Sequence, residues 1–307
     1  MADNQCGTCS GCVNTGSTRY CEPCCAVGRP FLVAGTARCA ELVARADWLA
    51  GDVRPDLAGL GPEARRALGE AWQGAAAMEH ASIAAFARFV LELMSLGAPA
   101  ELIDESTRAM SDESEHAKLC FSLASTYLGV CRGPGPLETQ DSLLGRDLHA
   151  IVITALREGC IGETVAALEA AEALEHATDE AVRRVLERIS VDEMRHAALA
   201  WRFVRWALSN AELGLRQAVR AELDAALTEN DLARPRAPEP ADANLLAHGI
   251  LPEAHRRELR WHVVRDLIGP CATALFEPAV GAPADARDHG LVQTMRTPRD
   301  LFNALTP

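Results

Sequence analysis

The sequence predicts an all-α protein. Alanine and leucine are abundant, only 5% of the 307 residues are aromatic, and runs of β-branched residues are few. Hydrophobic residues make up 49% of the chain, which is enough for a sizeable buried core. Four long segments carry these residues at the spacing of amphipathic helices, so we expect four long helices at the centre of the fold.

The first two predicted helices form a pair. The first begins at Pro62, because proline is favoured in the first turn of a helix, and ends at Gly97. The second begins at Pro99 and continues to about Leu128. Because so few residues separate them, the two helices should form an antiparallel hairpin.

A long connection separates this pair from a second one. The glycine- and proline-rich stretch Gly129–Thr139 interrupts the helical pattern, and the third helix is predicted over about Ser142–His176. The fourth is capped by Thr178 or Asp179 and ends near Asn210. A connection of about 13 residues spans roughly 43 Å when extended. Since a 30-residue helix is about 45 Å long, helices two and three should run parallel.

The chain divides into three predicted regions. Residues 1–40 form a cysteine-rich segment, residues 62–210 a four-helix bundle, and residues 211–307 additional helices and a tail. Within the last region we expect a helix over about 211–228, a polar, proline-rich linker to about 243, and a short helix over about 252–268.

Charge and hydropathy exclude several partners. The net charge of −13, without a run of lysine or arginine, argues against nucleic acid and against membrane surfaces. No stretch has the roughly 18 to 20 apolar residues of a spanning helix, and the N-terminus lacks the pattern of a signal peptide. We therefore expect a cytoplasmic protein. The alternative is an exported protein whose signal sequence is missing from this chain.

Six of the eleven cysteines lie within the first 25 residues. A reducing compartment keeps thiols free, so a metal site is the first interpretation, with disulfides or free thiols as alternatives. Two C-x2-C pairs could hold zinc as a structural ion or iron as a one-electron carrier. The residues of this segment are Cys6, Cys9, Cys12, Cys21, Cys24 and Cys25.

A repeated motif carries the strongest chemical signal. The pattern D-E-x-x-H-A occurs once in helix two, over residues 112–117, and once in helix four, over residues 192–197. Residues three apart share one face of a helix, so Glu113 with His116, and Glu193 with His196, could each hold one metal ion.

Each preceding helix supplies a further glutamate, Glu79 in helix one and Glu163 in helix three. At 1.5 Å per residue, these glutamates and both E-x-x-H pairs lie about 22 to 28 Å from the ends of their hairpins. They could therefore meet in one layer of the bundle. Four carboxylates buried together need countercharge, which two divalent cations would supply.

This set of residues resembles that of the ferritin-like di-iron carboxylate superfamily, over roughly residues 62–210. With two histidines, the pattern looks more like that of oxygen-activating oxidases, rubrerythrins and bacterioferritins than like that of storage ferritins. The resemblance implies two iron ions, or manganese in place of one or both. In similar proteins, aspartates placed like Asp112 and Asp192 hold the histidine rings across the bundle.

Three further features bear on the predicted site. Glu115 and Arg195 occupy the variable positions of the two motifs, so we expect them on the outer face or in a polar network. Gly159 and Gly162 flank Glu163 at a cost of about 1 kcal/mol each relative to alanine in a helix interior. They indicate either very close helix packing or space for dioxygen and a substrate.

The predicted function is that of a di-iron oxidoreductase that uses dioxygen or peroxide to oxidise a small organic substrate. Its partners would be dioxygen, that substrate, an electron-donating reductase and, in a homodimer, a second copy of the chain. One alternative is an iron-handling ferroxidase or peroxide scavenger. Another is a binding or stress protein in which the metal serves only as a structural staple.

Overall fold

The fold, described by a computed structural model, is predominantly helical, which confirms the all-α prediction. The structure describes residues 29–209, 211–232 and 242–276, and the backbone alone of residues 12–15 and 18–21. Of the predicted cysteine site, Cys12 and Cys21 lie opposite each other in a short hairpin of two strands, β1 (Cys12–Thr15) and β2 (Thr18–Cys21). The other four cysteines lie outside the described residues.

Four long helical stretches form the centre of the fold. They comprise α1 (Pro62–Ser95), α2 (Ala100–Leu128), a third stretch made of α3 (Leu148–Thr154), a π-helical segment (Ala155–Glu163) and α4 (Thr164–His176), and α5 (Glu180–Ser209). Because α1 packs along α2 and α4 along α5, both predicted hairpins are present.

Capping side chains set the starts of two of these helices. The third stretch begins at Leu148, six residues later than predicted, because the Asp147 carboxylate accepts a hydrogen bond from the backbone N–H of Ala150 at 2.8 Å. Asp179 caps α5 in the same way, accepting from Val182 at 2.9 Å.

The C-terminal helices are α6 (Leu213–Leu232), α7 (Ala243–Ala247), α8 (Glu253–Val263), a second π-helical segment (Val264–Ile268) and α9 (Gly269–Phe276). Helix α6 continues four residues beyond the predicted end, to position 232. The sequence pattern did not predict α7 or α9. Side chains of α6, α8 and α9 pack into the same apolar cluster as the third helical stretch and α5.

Short strands connect the N-terminal segment to the long crossover. Strands β3 (Leu32–Val33) and β4 (Thr36–Ala37) form one hairpin, and β5 (Leu42–Ala44) pairs antiparallel with β6 (Arg132–Pro134). Because β6 lies in the stretch between α2 and α3, this pairing attaches the crossover to the segment that precedes α1. These strands were not expected from the sequence pattern.

The core consists of two large apolar clusters with a polar layer between them, and of a small third cluster in which Phe31 and Val33 pack against α1. One large cluster contains Phe86 and Phe89 of α1, and the other contains Trp72 of the same helix. Along α1 and α5 the chain runs from the cluster of Trp72 to the cluster of Phe86. Along α2 and the third stretch it runs in the opposite direction, from the cluster of Phe86 to the cluster of Trp72. Helix α2 and the third stretch therefore run in the same direction, and Glu79 lies where the two clusters meet.

Among the residues that the structure describes, no helix combines the length and the apolar character that a membrane span requires.

The third helical stretch packs closely on its neighbours at Gly159. A Cβ atom at this position would lie 2.5 Å from the Cβ of Ala200 and 2.7 Å from Nη2 of Arg29. A Cβ at Gly162 would be 3.4 Å from the carbonyl oxygen of Arg157, an ordinary contact. Gly159 therefore allows close helix packing, one of the two explanations that the sequence suggested for these glycines.

We expect Gly159→Ala to destabilise the protein by about 1 to 3 kcal/mol, the usual cost of overpacking, although alanine is the better helix former. Gly162→Ala is the matched control, and it should leave the free energy of unfolding unchanged or raise it slightly. Urea denaturation of both variants measures the difference. Equal stability of the two would contradict the packing argument.

Candidate metal centre

The structure brings together the six residues that the sequence predicted as metal ligands. They come from α1, from α2, from the end of the first π-helical segment and from α5, and no member is more than 2% exposed. The six are Glu79, Glu113, His116, Glu163, Glu193 and His196.

The six residues form two groups of four that share two glutamates. Glu79 and His116 complete one group and Glu163 and His196 the other, while Glu113 and Glu193 belong to both. Within each group, one ligand atom from every residue lies within 4.8 Å of the others. This pattern fits two neighbouring cations with two bridging carboxylates and one terminal glutamate and histidine each.

Nδ1 of each histidine faces the carboxylates. Nδ1 of His116 is 3.5 Å from Oε1 of Glu193 and 3.7 Å from Oε2 of Glu79. Nδ1 of His196 is 3.1 Å from Oε1 of Glu113 and 3.5 Å from Oε2 of Glu193. The ring centroids of the two histidines are 6.1 Å apart. The same ring atom of each imidazole is thus presented to one shared interior.

Unsatisfied polar atoms show that the cluster suits metal ions. Both carboxylate oxygens of Glu79, Glu113 and Glu193, together with Nδ1 of both histidines, are buried without a hydrogen-bond partner. Such groups are costly in a protein interior, where almost all buried polar atoms are paired. Oxygen and imidazole nitrogen donors at these positions match the ligands of divalent iron, manganese or zinc.

The two aspartates of the repeated motif lie where the resemblance places them. Nε2 of His116 is 3.0 Å from Oδ2 of Asp192, and Nε2 of His196 is 3.4 Å from Oδ2 of Asp112. Each aspartate therefore contacts the histidine of the opposite helix. An acceptor at Nε2 favours a proton on that nitrogen, which leaves the Nδ1 lone pair free to face a metal ion.

Two arginines of α5 link the aspartates. Arg195 contacts both Asp112, at 3.3 Å, and Asp192. Arg188 donates from Nε to Asp192 at 2.6 Å and also pairs with the exposed Glu115 at 3.1 Å. Arg195 and Glu115 therefore belong to an outer polar network. Sequence reasoning missed Arg188, although it lies four residues before Asp192, a spacing that favours an ion pair on one helix face.

Arg29 is the second residue that sequence reasoning missed. It lies ahead of α1, is only 2% exposed, and donates from Nε to Oε1 of Glu163 at 3.2 Å. Its guanidinium carbon lies 4.3 Å from the ring centroid of Phe86 and 5.1 Å from that of Phe89. No motif marks Arg29, because its contact spans 134 positions of the chain.

Burial and neighbouring charges oppose ionisation of the terminal glutamates. Burial, together with the nearby Glu113, raises the pKa of Glu79 well above its usual range. Burial and Glu193 have the same effect on the pKa of Glu163, and the charge of Arg29 offsets this increase only in part. Without metal ions, the cluster therefore favours protons on these carboxyl groups.

The histidines respond in the opposite sense. Burial disfavours the charged imidazole of His116, but the hydrogen bond to Asp192 and the nearby carboxylates of Glu193 and Glu79 prevail and raise its pKa well above the usual value. Burial also disfavours the charged imidazole of His196. The charge of Glu193 and the hydrogen bond to Asp112 outweigh this effect and raise the pKa of His196. The cluster thus attracts positive charge, which either protons or metal ions can provide.

Comparisons with known proteins leave the family open. No family model matches the chain, and no curated protein or solved structure matches it significantly.

We expect Glu79→Gln to stabilise the metal-free protein, because it replaces a carboxyl group whose ionisation the interior disfavours with a neutral group of the same shape. The matched control is Glu70→Gln on the same helix. Glu70 is exposed and pairs with Arg66, so its replacement should change stability by less than about 0.5 kcal/mol. Urea unfolding in the presence of a chelator tests both variants. A metal-free Glu79→Gln protein less stable than wild type would contradict the prediction.

Proposed function

We propose that the protein is a non-haem di-iron oxidoreductase of the ferritin-like carboxylate type. In this proposal it uses dioxygen or peroxide to oxidise a small organic substrate. The observation that carries the proposal is the sharing of Glu113 and Glu193 between two buried groups of ligands. A single structural ion would require only one of these groups.

The arrangement of helices supports the same proposal. Two hairpins joined by a long crossover, with α2 parallel to the third stretch, are expected of a ferritin-like bundle. The ligands lie at its mid-height, between the two apolar clusters. Such a setting excludes bulk water from the carboxylates and strengthens their attraction for cations.

The chain's own residues would hold and orient the ions. Glu79 and His116 would be terminal ligands of one ion, and Glu163 and His196 of the other. Two ferrous ions would supply electrons for a two-electron reduction of dioxygen, and any further electrons must come from the substrate or a reductase. Manganese in place of one or both irons uses the same ligand types, so geometry and supply decide between them.

A shallow surface cleft between α2 and α5 reaches the edge of the metal centre, where its lining includes His196 and Asp112. Arg195 in this lining is paired with Asp112 and Asp192, and Arg202 is paired with Glu105. Most of the charge in the lining is therefore balanced, so the cleft could admit a small neutral molecule such as dioxygen or peroxide.

The two metal positions should not be equivalent. Arg29 occupies one oxygen of Glu163 and places a positive charge beside it, whereas both oxygens of Glu79 are unpartnered. We therefore expect the Glu79–His116 position to fill first and the Glu163–His196 position to bind its ion more weakly.

Arg29→Met removes this charge and retains most of the side-chain packing. We expect it to narrow the gap between the two sequential metal-binding constants, measured by anaerobic titration with Mn²⁺ or Fe²⁺. Arg38→Met is the control, because Arg38 lies in the same segment but donates to backbone carbonyls of residues 138 and 140 on the crossover. An unchanged gap in the Arg29 variant would contradict the assigned asymmetry.

The comparison of Glu163→Ala with Glu115→Ala tests the ligand assignment. Wild-type protein should hold two transition-metal ions per chain in this centre, as the two ligand groups require. Glu163→Ala should abolish or halve that occupancy and remove the oxygen reaction. Glu115→Ala should leave both unchanged and alter stability by about 0.5 kcal/mol or less, since the side chain is 52% exposed. Equal metal content and equal rates in both variants would show that Glu163 is not a ligand.

Stopped-flow mixing of the ferrous protein with dioxygen tests the function itself. We expect dioxygen to oxidise the bound ferrous ions rapidly, and we expect the protein not to catalyse the oxidation of additional free ferrous iron. Continued oxidation of many ferrous ions per chain, with mineral formation, would support the iron-handling alternative. Absence of any rapid reaction would leave the metal a purely structural role and overturn the proposal.

A further inference from the structure

A second group of metal-ligating side chains lies at the surface, away from the buried centre. Glu172 and His176 stand one turn apart near the C-terminal end of α4, and His255 lies in the first turn of α8. Nothing in the sequence pattern relates His255 to the other two, because about 80 residues of chain separate them. The packing of α8 against α4 brings the three together.

The three side chains converge on one carboxylate oxygen. Oε1 of Glu172 is 3.1 Å from Nε2 of His176 and 3.0 Å from Nε2 of His255. The two imidazole rings stand nearly perpendicular, with centroids 5.4 Å apart. One ligand atom from each residue lies within 4.8 Å of the other two.

This spacing is close to what a metal ion needs. With bonds of about 2.0 to 2.1 Å, two ligands of a tetrahedral ion are about 3.4 Å apart. The oxygen–nitrogen distances would therefore have to lengthen by only a few tenths of an ångström. Imidazole nitrogen can give up its proton at Nε2 and carry it at Nδ1, so both histidines could become ligands without becoming charged.

An ordinary ion pair between α4 and α8 would use one histidine, whereas here two imidazole nitrogens face the same carboxylate oxygen. A divalent cation in the middle would instead be bound by all three groups. The side chains are between 32% and 41% exposed, so solvent could fill the remaining coordination positions.

We propose that Glu172, His176 and His255 form a second, solvent-accessible site for a divalent transition-metal ion such as Zn²⁺. The site lies nine residues beyond Glu163, about 13 Å along the helix, and shares no ligand with the buried centre. The ion would join the C-terminal helix α8 to the four-helix core. The proposal does not depend on what the buried centre does.

The neighbouring charges permit such an ion. Arg256, a cation in the same interface, donates to Glu169 at 3.1 Å and contacts Glu253 at 3.5 Å. Its charge is therefore partly offset by these carboxylates, while the carboxylate of Glu172 faces the two histidines.

Zn²⁺ titration of the full-length, chelator-treated protein by isothermal calorimetry tests the site. Wild type is compared with His176→Ala, with His255→Ala and with the control His262→Ala. His262 is also an exposed histidine of α8, but it contacts Asp266 and lies outside the cluster. Zinc bound elsewhere, including at the buried centre, is common to all four proteins, so their differences report on this site alone.

We expect both cluster variants to lose one equivalent of zinc, or to bind it at least tenfold more weakly, while the control keeps it. Mutation of a residue that only hydrogen-bonds to a metal ligand typically lowers metal affinity by about 10- to 100-fold. Loss of a ligand itself should lower the affinity by at least as much. Circular dichroism verifies that each variant is folded, and two separate histidine variants protect the test against failure of one. Identical titrations of all four proteins, or the same loss in the control, would overturn the proposal.

Discussion

The rest of the structure depends on one electrostatic constraint, the burial of four carboxylates in a single layer of an apolar core. Each isolated buried ion costs several kcal/mol, and like charges at this distance add to that cost. Without metal ions, bound protons reduce the negative charge of this layer, because the pKa of Glu79 and the pKa of His116 are both raised. Two divalent ions would balance four negative charges, and the apolar clusters on either side would then strengthen the bonds that they form.

Around this layer, charge is arranged in a definite order outward. The glutamates form the inside, the histidines lie between, and Asp112 and Asp192 face the outer nitrogens of the rings. Arg195 contacts both aspartates, so the two histidines are held by one connected network and not by two separate ones. A change at either aspartate should therefore reach both halves of the centre.

Most of the candidate site could be predicted from the sequence because regular helices convert sequence spacing into distance. Glu163 ends the π-helical segment, so the helix between it and the next turn is regular and its predicted depth holds. No pattern in the sequence predicted the π-helical segment itself. Arg29 and His255 could not be predicted, since their contacts join distant parts of the chain. Strands of two or three residues, such as β5 and β6, are too short to give a periodic signal.

The attachment of the N-terminal segment has a consequence for the order of folding during synthesis. Arg29 leaves the ribosome long before its partner Glu163, and β5 long before β6. The first hairpin can form from local contacts, and it already offers this segment part of its binding surface. Phe31 and Val33 pack against α1, and Ser82 of that helix donates to the carbonyl oxygen of Arg29 at 2.8 Å. Docking can therefore begin before the third helical stretch has been made, whereas the ion pair of Arg29 with Glu163 must form later. Until then the polar layer lacks one of its glutamates.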